Sequence, residues 1–160
     1  MILADIENMS MKELLEQGIA SEINAQRKYG AVAKENFSYA LHDKLNFLQK
    51  QEKSHEKTLR EIFKKRFPNE KPNIPDKVLK PAPDIDLKSE SIGELFKEAM
   101  ESEKESMEFY EHLADRLDNK KMKKTAKYFA HMEEGHYKIL KHELDSMKKF
   151  GGRWGEVRAF

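Results

Sequence analysis

Two copies of one short pattern, Glu-x-x-His, lie 81 residues apart in the chain, at Glu52–His55 and Glu133–His136. Each copy follows another glutamate by 30 residues, Glu22 in the first half and Glu103 in the second. Chance would produce about one Glu-x-x-His in a chain with this many glutamates and histidines. Two copies at a matched distance from a further glutamate therefore indicate a functional set. Carboxylates and imidazoles are ligands for ions such as iron, manganese and zinc.

The spacing of the neighbouring apolar residues predicts that these side chains point inward. Glu52 and His55 continue the helical stripe that Leu48 and Leu59 define, and the second half repeats this arrangement. Unpaired carboxylates in a core cost several kcal/mol each, and no Lys or Arg lies on these stripes. Two divalent ions would supply the missing charge, as in di-iron and di-manganese carboxylate bundles. The predicted ligands are Glu22, Glu52, His55, Glu103, Glu133 and His136.

Helices must position these residues, and the sequence indicates where each helix begins and ends. All five prolines lie between Pro68 and Pro83, which predicts a long connection over 67–90. Each flanking stretch opens with a serine followed three residues later by glutamate, Ser10–Glu13 and Ser91–Glu94, the pattern of a capping box. Polar breaks then divide each stretch, and Gly151 is placed to cap the last helix. The predicted helices span 10–36, 40–66, 91–117 and 120–149.

These elements predict an all-α fold, a ferritin-like four-helix bundle in which one long crossover joins two antiparallel helix pairs. A connection of about 24 residues is long enough to run the length of such a bundle. We expect one domain over 1–160: a helix pair at 10–66, the Pro-rich crossover at 67–90, a second pair at 91–149 and a tail at 150–160. The tail contains the only Trp of the chain.

Composition excludes several classes of function. The chain has 160 residues and no cysteine, so it can form neither disulfides nor thiolate metal sites. Its formal net charge of +1 gives no overall field for nucleic acid or an anionic membrane, and we expect neither as a partner. Without a secretory signal or an apolar run of membrane-spanning length, the chain is expected to be cytoplasmic.

Tyr29 and Tyr110 follow the Glu22 and Glu103 positions by seven residues, two turns along the same helix face. In one interpretation they are core aromatics whose hydroxyl groups are hydrogen-bonded. In the other they donate to the ligand carboxylates or act as redox-active side chains near the metals, which would make them part of the catalytic machinery.

The two halves, Glu22…Tyr29…Glu52-x-x-His55 and Glu103…Tyr110…Glu133-x-x-His136, resemble the di-iron domain of rubrerythrins over residues 10–149. The resemblance implies a non-haem site with two iron ions and reduction of hydrogen peroxide to water in oxidative-stress defence. In such a site Glu52 and Glu133 would bridge the ions. The remaining four ligands would be terminal, Glu22 with His55 and Glu103 with His136.

Two departures from the rubrerythrin pattern bear on this expectation. Rubrerythrins carry a rubredoxin domain with four cysteines, and since this chain has none, electrons would come from a separate rubredoxin-type donor. They also have a further glutamate one turn after the helix ligand, where this chain has Ser106. Loss of that ligand would make the site more symmetric.

Other functions of the same superfamily stay open at this point. A ferroxidase or iron-handling protein would use the same ligands, and a manganese or mixed-metal site is compatible with them. A non-catalytic helical module that binds a partner through the aromatic tail is a further alternative. We expect a homodimer, which would argue against an iron-storage shell.

Overall fold

The structure is a computed structural model, which describes residues 6–35, 38–80 and 92–149. These ranges form four long helices and one single-turn helix: α1 (Met11–Ala33), α2 (Tyr39–Arg66), α3 (Asp76–Leu79), α4 (Ile92–Arg116) and α5 (Lys120–Lys149). They contain no strand, so the predicted all-α ferritin-like bundle is confirmed. Each long helix begins and ends within three residues of its predicted bounds. None of the described helices is both long enough and apolar enough to cross a lipid bilayer.

Polar side chains set the starts of the long helices. Ser10 Oγ accepts a hydrogen bond from the backbone N–H of Glu13 at 3.1 Å, and the Glu13 carboxylate accepts one from the Ser10 N–H at 2.8 Å. This reciprocal pair satisfies two backbone donors, and the predicted capping box is confirmed there. Ser38 and Asn119 accept single bonds at the starts of α2 and α5. The second predicted box depends on Ser91, which lies outside the described residues.

The crossover departs from the prediction at one place. Its proline content predicts a connection without helices, yet α3 forms a single turn directly after Pro75. Pro75 is the N-cap residue of this turn, with φ −57° and ψ 134°. A proline is tolerated there because a backbone N–H at the start of a helix has no acceptor within the helix. Residues 81–91 of the crossover, the predicted Gly151 cap and the tail at 150–160 lie outside the described residues.

A polar layer divides the core into two apolar clusters. In α1, for example, Leu15 and Ile19 belong to one cluster and Val32 to the other, with Glu22 between them. In each of the other three long helices, the predicted ligands likewise lie between residues of one cluster and residues of the other. The helices therefore bury apolar residues toward both ends of the bundle and present polar groups to one another at mid-length.

Gly18 lets α1 approach α4 closely next to this layer. A Cβ added at Gly18 would lie 2.6 Å from Cζ of Phe109 and 3.1 Å from Cδ1 of Leu59. Phe109 is only 2% exposed, so its ring has little room to move away. A glycine is therefore needed for packing here, although it lowers the helix propensity of α1.

Replacing this glycine should cost stability in spite of the better helix former. The extra methyl group of Gly18→Ala should overpack the core and lower the free energy of unfolding by about 1–3 kcal/mol. The better helix propensity of alanine returns at most about 1 kcal/mol, so we expect a net loss. Denaturant unfolding of the metal-free protein measures the difference. Gly135→Ala is the matched control, because a Cβ there has no atom within 4 Å, and it should stabilise by about 0.5–1 kcal/mol. Equal gains from both substitutions would show that the Gly18 contact is unimportant.

Candidate metal centre

The four long helices each contribute to one buried polar cluster at the middle of the bundle. α1 and α4 each supply one glutamate, while α2 and α5 each supply a glutamate and a histidine three residues apart, which places both on one helix face. All six side chains are at most 4% exposed. They are the predicted ligands, Glu22, Glu52, His55, Glu103, Glu133 and His136, and the structure brings all six together.

The six residues form two overlapping groups of four. One consists of Glu22, Glu52, His55 and Glu133, and the other of Glu52, Glu103, Glu133 and His136. In each group the ligand atoms lie within 4.8 Å of one another. Glu52 and Glu133 belong to both groups, so these two carboxylates lie between the two positions where ions could bind.

The distances from the two imidazoles repeat across the two halves. Nδ1 of His55 lies 2.9 Å from Glu133 Oε1 and 3.2 Å from Glu52 Oε2. Nδ1 of His136 lies 2.9 Å from Glu133 Oε2 and 3.1 Å from Glu52 Oε1. The two rings are nearly parallel, with their centroids 5.8 Å apart. The internal sequence repeat therefore corresponds to a pseudo-twofold relation between the two groups.

The cluster has the properties expected of a metal site. Both carboxylate oxygens of Glu133, both ring nitrogens of His55 and Oε2 of Glu52 are buried without a well-aligned hydrogen bond in the described parts of the chain. By contrast Glu143, the other buried carboxylate there, pairs with Lys44. Carboxylate and imidazole groups that converge in a buried layer are typical of a site for divalent ions. The residues therefore fit a pair of such ions.

Protons compete with metal ions for this cluster. Burial raises the pKa of Glu22 to about 8 and that of Glu133 to about 7. Burial opposes the charged form of the two histidines, but the surrounding carboxylates raise the pKa of His55 to about 11 and that of His136 to about 12. Burial also acts on Glu103, yet its contact with His136 leaves its pKa lowered. Without metal, the site holds protons that balance its carboxylate charge.

The two buried tyrosines connect the halves crosswise. The Tyr29 hydroxyl donates a hydrogen bond to Oε1 of Glu103, and the Tyr110 hydroxyl donates one to Oε1 of Glu22. Burial raises the pKa of both hydroxyl groups, and the adjacent carboxylates add to the effect. Each tyrosine thus remains protonated and holds one terminal carboxylate in place.

Spacing along a single helix could not identify these partners. The repeat places each tyrosine two turns from the glutamate of its own helix, whereas the bond crosses to the opposite half. The useful signal is the repeat itself, because equivalent residues of antiparallel helices meet across a pseudo-twofold axis. The aromatic contacts of His55 could not be predicted from spacing either. The centroid of its ring lies 4.2 Å from that of Phe129 and 5.8 Å from that of Tyr110.

Comparison with known proteins agrees with this geometry. A family model described as Rubrerythrin matches residues 13–144. A solved structure of a hypothetical protein from Pyrococcus furiosus is 30% identical in sequence, with a TM-score of 0.78; the match covers 91% of this chain and 96% of that one. No curated protein matches the chain.

The protonated state of the cluster predicts an unusual dependence of stability on pH. Four of the six predicted ligands have a raised pKa in the folded protein, so the folded state binds more protons than the unfolded state and the free energy of unfolding falls as pH rises. Metal-free protein should therefore be less stable at about pH 9 than at about pH 6, as measured by denaturant unfolding. The lowered pKa of Glu103 acts in the opposite sense, but only in the acid range.

Metal-loaded protein is the control for this measurement. Bound ions displace the protons from their ligands, so its stability should not show the same fall. A metal-free protein whose stability stays constant or increases between these two pH values would contradict the assignment of protons to the cluster.

Proposed function

The chain belongs to the rubrerythrin family, and from this premise we propose that it is a di-iron enzyme that reduces hydrogen peroxide to water. The observation that carries the proposal is the position of Glu52 and Glu133 in both groups of ligands. Two carboxylates shared in this way would hold two ions close together, the arrangement that suits attack on a bond between two oxygen atoms.

Each position has its own pair of terminal ligands besides the shared carboxylates. Glu22 and His55 would hold one ion, and Glu103 and His136 the other. Two Fe(II) ions bound here would supply the two electrons that cleave the O–O bond of peroxide, and the resulting Fe(III) ions would be reduced again by an external donor. The reaction also consumes two protons for each peroxide and forms two molecules of water.

The chain's own residues prepare the site for this reaction. The hydroxyl groups of Tyr29 and Tyr110 orient the Glu103 and Glu22 carboxylates and place a phenolic proton beside each ion position. Their raised pKa keeps that proton on the oxygen until the reaction requires it. The rings of Phe129 and Phe109 and the two apolar clusters exclude bulk water from the layer.

The electron donor in this proposal is a separate protein of the rubredoxin type, the class of donor that the resemblance to rubrerythrins implies. We propose further that the protein acts in the cytoplasm as a homodimer in defence against oxidative stress. The charge balance fits iron and manganese equally, since four carboxylates neutralise two divalent ions of either kind. Membership of the rubrerythrin family is what favours iron in this proposal.

The preferred oxidant distinguishes this proposal from a ferroxidase. Protein loaded anaerobically with Fe(II) should be oxidised much faster by hydrogen peroxide than by dioxygen, as followed by stopped-flow absorption. Glu133→Gln should abolish this reaction, because it removes a carboxylate common to both positions. Glu134→Gln is the matched control, since Glu134 is half-buried and pairs with Lys138 outside the cluster. Faster oxidation by dioxygen would instead support an oxidase or ferroxidase.

The crosswise tyrosines should affect turnover more than metal content. Tyr29→Phe and Tyr110→Phe each remove one donor to a terminal carboxylate and should slow peroxide reduction by about 10–100-fold while two irons stay bound. Tyr128→Phe provides the control, because Tyr128 is 59% exposed. If the two buried substitutions behaved like the exposed one, the tyrosines would be ordinary core residues.

A further inference from the structure

We propose that small molecules reach the metal centre from one side only, through an opening between α1 and α4 that leads to Glu52 and Glu103. This inference rests on the proposed metal centre and assigns its accessible side to the position held by Glu103 and His136. The other position, held by Glu22 and His55, is closed by aromatic packing.

The opening is small and lined mostly by short side chains. Its volume is about 50 Å³, and its walls include Ser21, Ala25, Ala99, Ser102 and Ser106. By this measure about 10–15 Å³ is enough for one water molecule, so the opening has room for a small molecule. The exposed Lys28 and Ser102 lie at its outer end, and the buried Tyr29, Glu52 and Glu103 lie at its inner end.

The inner end of the opening is formed in part by a carboxylate of the metal centre. Glu52 is 1% exposed, lines the opening and belongs to both groups of metal ligands. Its Oε1 atom lies 3.1 Å from Nδ1 of His136, the imidazole of the open position, and its Oε2 atom lies 3.2 Å from Nδ1 of His55. The opening therefore ends at the metal centre and not at apolar core.

The pseudo-twofold relation shows why access is one-sided. An offset of 81 residues relates Lys28 to Phe109 and Ala99 to Gly18. On the Glu22 side, the Phe109 ring packs closely against Gly18, where an added Cβ would lie 2.6 Å from Cζ of the ring. On the Glu103 side, a lysine that extends into solvent replaces the ring and an alanine replaces the glycine. One position is thus plugged by a phenyl ring and the other is open.

The surroundings of the two imidazoles follow the same asymmetry. His55 is fully buried and contacts the rings of Phe129 and Tyr110, and Phe109 in turn packs against Tyr110. Among the described residues, the ring contact of His136 is with His55 alone. A pair of ions with nearly identical ligands therefore lies in unequal surroundings, and an incoming molecule would meet the Glu103–His136 position first.

The proposal is tested by building the pair of Phe109 and Gly18, here called the plug, at the equivalent positions on the open side. The double variant Lys28→Phe with Ala99→Gly reproduces the Phe109–Gly18 pair in the second position. The matched control, Lys28→Ala with Ala99→Gly, removes the same charge and carries the same glycine in α4 but adds no ring. Azide, a linear anion of three atoms, serves as the entering molecule, and its association with the di-ferric protein is followed by absorption in a stopped-flow instrument.

We expect the ring to slow azide association at least about tenfold relative to the matched control, while two irons per chain remain bound. Equal rates in the two double variants, with two irons in each, would overturn one-sided access and leave the metal centre intact. Parent protein that binds fewer than two irons would overturn both. Should the ring-bearing variant not fold, Ser106→Leu fills the opening from α4 without changing Lys28, and an unchanged rate in that variant would equally reject the proposal.

Discussion

The burial of four carboxylates at the middle of a helical bundle is the constraint on which the rest of this structure depends. An isolated buried carboxylate is too costly to maintain, so each must be protonated, paired or bound to a metal. Glu143 is paired with Lys44, but the four glutamates of the central layer have only two histidines and two phenol hydroxyls around them. Two divalent ions would carry the charge opposite to four carboxylates, which would account for the number of glutamates in the layer.

The same layer explains how the two helix pairs are joined. Contacts within each pair are continuous along the helices, whereas the pairs meet across the polar layer and the two apolar clusters on either side of it. The raised pKa values of Glu22 and Glu133 favour protons on these carboxyls, and those of His55 and His136 favour the imidazolium form, so protons offset part of the buried negative charge. In the proposed metal-bound state, ions would replace these protons and bind ligands from all four long helices. Folding and metal binding would then be coupled through one set of atoms.

Much of this architecture could be predicted from the sequence. Apolar spacing and prolines were sufficient for the four long helices, because their periodicity is strong and their starts carry capping residues such as Ser10. The repeated Glu-x-x-His, with a further glutamate 30 residues before each copy, identified six side chains that the structure gathers into one cluster. The exchange of hydrogen bonds between halves could not be predicted, because the spacing of Tyr29 and Glu22 on α1 does not reveal which residue of α4 lies opposite. The plug of Phe109 against Gly18 was missed for the same reason, since it depends on the distance between two helices.

The most direct test of the account is an anaerobic titration of metal-free protein with Fe(II) in weakly buffered solution, with iron bound and protons released read together. The account predicts saturation at two irons per chain and release of about three to four protons near neutral pH, from the two imidazolium groups and the protonated carboxyls. Saturation at one iron or none would contradict the dinuclear centre. Two irons bound without proton release would contradict the charge balance from which that centre is inferred.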